Sequence, residues 1–376
     1  MPAGRKAPVV PGRPAAYTAA RRRSPRDNAS QRKCAMSVKL GIMGFGRLGR
    51  NMFRIAHDVP DITFAAVSDV AGVETLAYLL KYTTVEGPFK GELRQKGHYL
   101  VTEHQNTRVV HGSRPGDVPW DVLGVDIVVE ATGMFRTRAE LQKHLDSGAK
   151  GVILSTPPVG AIDRMIVNGV NDAQLAPTDR IVSCGSSSCH ALAVIMKVLH
   201  EKVGVKRATM TTVHAYTSDQ QLSDNARGGL RWSRSAAENI IPNSSWAAGA
   251  VMDLIPDLKG KLSGMALNVP VSAGSNLDLV IELDKSLSAA EFNAVLAEAA
   301  AGPYKGLIGY TDEPIVSSDV IGNSCSAVVD SQATLSLGNG LVKCIVWYDN
   351  GWAYAYRMLE TARKLAGLVR SQEVAR

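Results

Sequence analysis

The sequence predicts an α/β chain in two parts, a doubly wound parallel-sheet half followed by an α+β half with a mixed or antiparallel sheet. Three observations carry this reading. From Val38 onward, short continuous apolar runs alternate with helical stretches, as strands buried on both faces of a parallel sheet require. Beyond about residue 207 the runs lengthen and alternate apolar with polar residues, with hairpin-type turns such as Gly338-Asn339-Gly340. At 376 residues and 45% apolar composition, the chain is long enough to bury two cores.

The elements follow in order. VKLGIMGF (38–45) reads as a strand, RLGRNMFRIAH (47–57) as a helix and DITFAAVSD (61–69) as a second strand. DIVVEATG, GVILSTP, MIVNGV and RIVSCG continue the short buried-strand pattern to residue 185. Ala191, Leu192, Val194, Ile195, Val198 and Leu199 then recur at helical spacing, so the run SCGSSSCH (183–190) opens a helix. ATMTTVHAYT, GKLSGMALNVPV, NLDLVIEL and QATLSLGNGLVKCIVWYD supply the longer strands, with a helix at 288–301 packed on them. Residues 352–370 read as a terminal helix charged on one face. The expected boundaries are a disordered basic tail at 1–36, a first domain at 37–185, a second at 186–350 and the C-terminal helix at 351–376.

The net charge of +7 comes from one end. Residues 1–35 hold nine Lys/Arg against the single acid Asp27, which leaves 33 basic and 34 acidic residues in the body, net −1. A body this close to neutral offers no broad surface for nucleic acid. The tail is rich in Pro, Ala and Arg without apolar periodicity, and it buries too little to offset its ordering entropy. It reads as an anion-binding arm, an Arg-rich transit peptide, or a stretch upstream of a true start at Met36; the strand that begins at once after Met36 favours the last. No apolar stretch is long enough for a bilayer. The five cysteines, 34, 184, 189, 325 and 344, show no repeated pair spacing, so a reducing cytoplasm is the simplest setting. Cys184, Cys189 and His190 lack a second ligand pair at metal spacing, and no metal site is expected.

Gly44, Gly46 and Gly49 form G-x-G-x-x-G directly after a strand and at the opening of a helix. Gly44 permits the tight turn, Gly46 lets a pyrophosphate approach the backbone, and Gly49 lets the helix pack closely. The next strand ends at Asp69, at the spacing where a carboxylate meets a ribose diol and repels a 2′-phosphate. The first half therefore reads as a Rossmann-type domain that binds NAD in preference to NADP.

GFGRLGR, PWDVLGVDIVVEATGMF, TTVHAYTSDQ, IIPNSSWAAGAV, GKLSGMALNVPV, GPYKGLIGYTDEPIVSSD and WYDNGWAYAYR together resemble the glyceraldehyde-3-phosphate dehydrogenase family, from about Val38 to Leu368. The resemblance implies an NAD-binding domain, a mixed-sheet catalytic domain, a C-terminal helix returning to the first domain, and a homotetramer. It places cofactor contacts on the turn (Gly44, Phe45, Gly46, Arg47, Leu48, Gly49) and on Asp69, Arg114, Ser155 and Asn350, with Tyr354 as a neighbouring ring. It also implies a cysteine that attacks an aldehyde and a histidine, here His214, that takes the proton, with inorganic phosphate as co-substrate.

The chain departs from that pattern where the chemistry lies. Laid without gaps from either flank, the family's S-C-T-T-N-C falls on Ser186, Ser187, Ser188, Cys189, His190 and Ala191, which puts Ser187 at the nucleophile position. Asn268 stands in place of a phosphate-holding arginine, Trp246 in place of a small glycine, and Trp232 where relatives carry a second arginine. Met43 and Ser68 replace usual asparagines. Ser186, Ser188, Thr217 and Ser245 remain as hydroxyl donors to the aldehyde or phosphate, with Arg231 and Arg234 as sources of charge. An asparagine does not replace a bidentate guanidinium. A hydroxyl, unlike a thiol at a helix N-terminus, stays protonated until it attacks. Three routes stay open at this point: Ser187 attacks with His214 as base, Ser187 positions an aldehyde hydrate, or the thiol of Cys184 or Cys189 takes over. The expected function is NAD-dependent oxidation of an aldehyde. A non-phosphorylating enzyme for a less anionic substrate is the alternative, or a silent NAD-binding homologue, against which the presence of His214 argues.

Overall fold

The computed structural model describes residues 37–226 and 228–374. The basic tail and the question of a start at Met36 lie outside the described residues. In the first half, β1 (Val38–Met43), α1 (Arg47–His57) and β2 (Ile62–Ser68) follow the expected strand-helix-strand order. They belong to a nine-stranded sheet. From one edge its strands are Arg164–Met165, Ile181–Ser183, Gly151–Leu154, Ile127–Glu130, β1, β2, Asn106–Val110, Tyr99–Val101 and Arg94–Lys96. The first seven run parallel and the last two antiparallel.

MIVNGV is a correction. Only Arg164 and Met165 pair as a strand, and the rest turns. Asn171 accepts the Val167 N–H and donates to the Met165 carbonyl, while Gly169 takes φ +81°. Ile166 and Val167 are buried all the same, so their apolar character marks a loop plugged into the core.

The second half is a seven-stranded mixed sheet in the order Ile241–Ser244, Leu262–Val269, Val205–Ala215, Ser275–Leu283, Leu341–Tyr348, Ala327–Ser336 and Ile308–Thr311. Gly338, Asn339 and Gly340 all take positive φ and close the hairpin between Ala327–Ser336 and Leu341–Tyr348. The Ala289–Ala301 helix starts with a Ser288/Glu291 capping box. The helix Ser187–Lys202 runs through the centre of the second core, packed between this sheet and neighbouring helices, which is why nearly all its residues from Ser188 to Leu199 are buried. The terminal helix, Trp352–Val374, lies against α1, β1 and the strands Ile127–Glu130 and Gly151–Leu154 of the first sheet. Among the described residues no helix is long and apolar enough to cross a membrane, and no group of three or more His, Cys, Asp and Glu gathers as a metal site.

Candidate active site

At the glycine turn each glycine meets a different constraint. Gly44 has φ +93°, and a Cβ there would sit 2.7 Å from the Thr132 backbone nitrogen. A Cβ on Gly49 would sit 2.8 Å from the Gly44 carbonyl. Gly46 faces open space. It is the N-cap of α1, with no side-chain cap and no acid in the first turn, so the positive helix end is open to an anion. Asp69 is fixed beside it: Oδ2 accepts the Phe45 N–H at 2.7 Å and Oδ1 the Ala71 N–H at 3.0 Å. Phe45 itself is buried core, while Leu48 packs half-buried against the first core. These features fit a dinucleotide: a bare backbone approach, free helix N–H groups and an oriented carboxylate.

The remaining cofactor candidates divide. The Asn350 Oδ1 accepts from the Ser275 hydroxyl at 3.3 Å, and Ser275 Oγ accepts the Ala215 N–H at 3.0 Å, so Asn350 is tied to the residue after His214. The Tyr354 hydroxyl donates to the carbonyls of Ser155 (2.9 Å) and Gly185 (3.1 Å) and is buried. Tyr354 therefore props the loop before Ser187 from beneath. Arg114 is exposed, its backbone N–H donating to the Asp117 carboxylate and its carbonyl accepting the Asp117 N–H. Met43 and Ser68, which stand where asparagines are usual, are fully buried, and the Ser68 hydroxyl donates to the Gly112 carbonyl.

The three serines at the second helix end are not equivalent. Ser186 is the N-cap, its Oγ accepting the Cys189 N–H at 3.2 Å. Ser188 is buried, with its hydroxyl 3.2 Å from that of Ser186. Ser187 is the first helical residue, half-buried, and its hydroxyl makes no hydrogen bond among the described residues. Cys184 and Cys189 have no exposure at all, and burial pushes both thiols up to about 12. Neither thiol is open to an incoming aldehyde and burial disfavours both thiolates, which speaks against the thiol route. His190, in the family's asparagine position, donates Nε2–H to the Cys184 carbonyl at 2.9 Å, and burial pushes its pKa down to about 3. It is a neutral structural group.

His214 lies one residue from the end of the strand Val205–Ala215. The Ser187–Lys202 helix leads through a short turn at Gly204 into that strand and packs back along it, so the helix start at Ser187 and the strand end at His214 lie toward the same end of the second sheet. The His214 Nδ1–H donates to the Ala215 carbonyl at 2.6 Å, which leaves the Nε2 lone pair for a proton. Desolvation lowers its pKa most, and the positive charge of Arg47 lowers it further, against the Ala215 carbonyl and Asp219.

Asn268 pairs with His214 across the neighbouring parallel strand, is 7% exposed, and its Oδ1 has no partner. Trp246, 41% exposed, brings its ring within 3.5 Å of where a Cβ of Gly185 would be, so the indole covers the loop leading to Ser187. The Ser245 hydroxyl accepts the Ala247 N–H. Thr217 donates its hydroxyl to Asp219, and Arg234 is paired with Asp224 at 3.2 Å. Arg231 is exposed and Trp232 half-buried in the same long connection. Of the predicted anion donors, Arg234 and Thr217 are thus already engaged. Asp219, which holds Thr217 and faces His214, was missed in the sequence; only its place two residues after Thr217 hinted at it.

A dinucleotide turn on one sheet, tied through the Arg47 guanidinium to the segments that follow the strands of His214 and Asn268 on the other, is the arrangement of a dinucleotide-dependent oxidoreductase. Residues 38–138 match the family described as glyceraldehyde 3-phosphate dehydrogenase, NAD binding domain, and residues 183–350 the one described as glyceraldehyde 3-phosphate dehydrogenase, C-terminal domain. The chain is 44% identical over 332 residues to glyceraldehyde-3-phosphate dehydrogenase of Geobacillus stearothermophilus, covering 88% of this chain and 99% of that protein. Glyceraldehyde-3-phosphate dehydrogenase 1 of Bacillus subtilis (strain 168) gives the same identity and coverage, and the Mycobacterium leprae (strain TN) protein is 41% identical over 341 residues, 89% of this chain and 99% of that one. The chain belongs to the glyceraldehyde-3-phosphate dehydrogenase family, a family of NAD-dependent oxidoreductases.

Proposed function

We propose that this protein oxidises an aldehyde without phosphorylating it, using Ser187 as nucleophile and His214 as base. The observation that carries the reading is that Ser187 alone among the three serines has an unengaged hydroxyl, at the start of the helix that leads into the strand of His214, whose Nδ1 is held by the Ala215 carbonyl. NAD, when bound at the glycine turn, supplies the hydride acceptor. The residues do the rest. Ser187 Oγ adds to the aldehyde carbon while His214 Nε2 takes its proton, and the backbone N–H groups of Ser187 and Ser188 at the helix end stabilise the alkoxide. Oxidation of this hemiacetal leaves an ester on Ser187. His214 gives up that first proton to solvent, then takes one from the water that attacks the ester and returns it to Ser187 Oγ as the carboxylate leaves.

Water is favoured over phosphate as acceptor for two reasons. An oxygen ester is less reactive toward phosphate than a thioester, and the anion subsite has an amide at Asn268 and an indole at Trp246 where a guanidinium and open space would serve. The substrate is accordingly an aldehyde of low negative charge. Asp69 favours NAD over NADP. We place the enzyme in the cytoplasm as a homotetramer. Alternate residues of Ser275–Leu283 and Leu341–Tyr348 leave one sheet face half-exposed, and Leu222, Leu230 and Ile240 stand exposed in the 216–240 connection, which suits partner copies. Rapid acid quench of enzyme, NAD and an uncharged aldehyde, followed by peptide mass analysis, should find the acyl group on the peptide containing Ser187. An acyl group on a cysteine peptide instead would remove serine from the role.

A further inference from the structure

Arg47 is the first residue of α1, and its backbone belongs to the open helix end that receives the phosphates. Its side chain goes elsewhere. Nη1 donates to the Ser272 carbonyl at 2.6 Å and Nη2 to the Tyr216 carbonyl at 3.2 Å. Tyr216 lies two residues after His214, and its own N–H donates to the Val271 carbonyl at 3.1 Å. One guanidinium thus fastens the dinucleotide turn to both chain segments that leave the His214 edge. Two of its five donors are used this way, which leaves the group able to face an anion as well.

We propose that Arg47 is a positioning residue through which occupation of the dinucleotide turn is felt at His214. The proposal rests on the reading of His214 as the base but is tested separately from it. Among the described residues, the charges felt at His214 are those of Arg47 from α1 and Asp219 from the connection after its own strand; the Tyr348 ring lies 6.1 Å away, and the uncharged Asn268 pairs with it on the neighbouring strand. The Tyr348 hydroxyl is bound to Thr212 at 2.7 Å, so it carries no charge to the imidazole. Arg47 is therefore the cation in this set. In the free enzyme its charge opposes protonation of His214. Phosphates set down beside Arg47 offset that charge, so His214 should hold a proton to higher pH once the turn is filled. The base is then better able to accept the Ser187 proton only when the hydride acceptor is in place.

The test follows the His214 imidazole by NMR in protein with isotope-labelled histidine, the signal assigned through His214→Asn, with and without NAD. In the wild type, NAD should raise the midpoint by about one pH unit. In Arg47→Met the free-enzyme midpoint should already be raised, and NAD should move it little further. Arg47→Lys keeps the charge but not the two-carbonyl grip, so its free midpoint should stay near wild type while its response to NAD shrinks. If Arg47→Met no longer binds NAD, the free-enzyme midpoint alone decides. An unchanged free midpoint in Arg47→Met, or an equal NAD response in all three proteins, overturns the coupling. Full turnover by His214→Asn would instead remove the base reading and leave the titration result standing.

Discussion

His214→Asn should lower kcat by about 10²–10⁴-fold while changing NAD affinity little at neutral pH, because the imidazole accepts a proton in the step and is uncharged in the free enzyme at that pH. Ser187→Ala should fall by a similar factor, and the double variant by little more than either alone, since the two act as one unit. A serine needs its base more than a cysteine does: its hydroxyl stays protonated, whereas a thiol at a helix end ionises partly unaided. Ser187→Cys should therefore regain turnover in the His214→Asn background that Ser187 cannot. The pH profile follows from the same geometry. Burial and then Arg47 keep His214 below the ordinary histidine range. The base is deprotonated above that lowered value, so kcat/KM should hold through neutral pH and fall as pH drops through it. An acid limb well above the ordinary range in the free enzyme would point to a different base.

The second large effect lies in substrate choice. Asn268→Arg combined with Trp246→Gly should lower KM for a phosphorylated aldehyde by about 10–100-fold, the worth of one or two charge-assisted hydrogen bonds, and leave KM for an uncharged aldehyde unchanged or higher. Asn268 is buried beside His214 with an unpartnered oxygen, so a guanidinium placed there points into the site. Trp246→Gly alone should enlarge the pocket and weaken binding of apolar aldehydes. Equal KM values for charged and uncharged aldehydes in both wild type and double variant would remove these two side chains from the specificity argument.

Much of this architecture can be read from the amino-acid order because each signal is local. The glycine turn, Asp69 and the helical spacing from Ala191 to Leu199 each report a constraint set within a few residues, and the structure bears out the turn, strand and helix that they imply. Asp69 lies two residues from Ala71 and faces Phe45, so its carboxylate is held by nearby backbone that the strand-turn pattern already implies. MIVNGV failed for the converse reason. An apolar run reports burial, and Ile166 and Val167 are as buried in a turn as a strand would make them. The order of the three serines within the helix start was legible, but the engagement of their hydroxyls was not, since that depends on which rotamer caps the helix. The grip of Arg47 on Ser272 and Tyr216 was invisible for another reason: its acceptors are backbone carbonyls more than 160 residues away, and any residue type presents one. The indole of Trp246 over Gly185 likewise joins segments that only the folded chain brings together.

The most direct measurement is NADH formation by the wild-type protein with an uncharged aldehyde, followed with and without inorganic phosphate. A serine ester resolved by water predicts the same rate in both, with the carboxylate as product. Strict dependence on phosphate, with an acyl phosphate as product, would contradict the account.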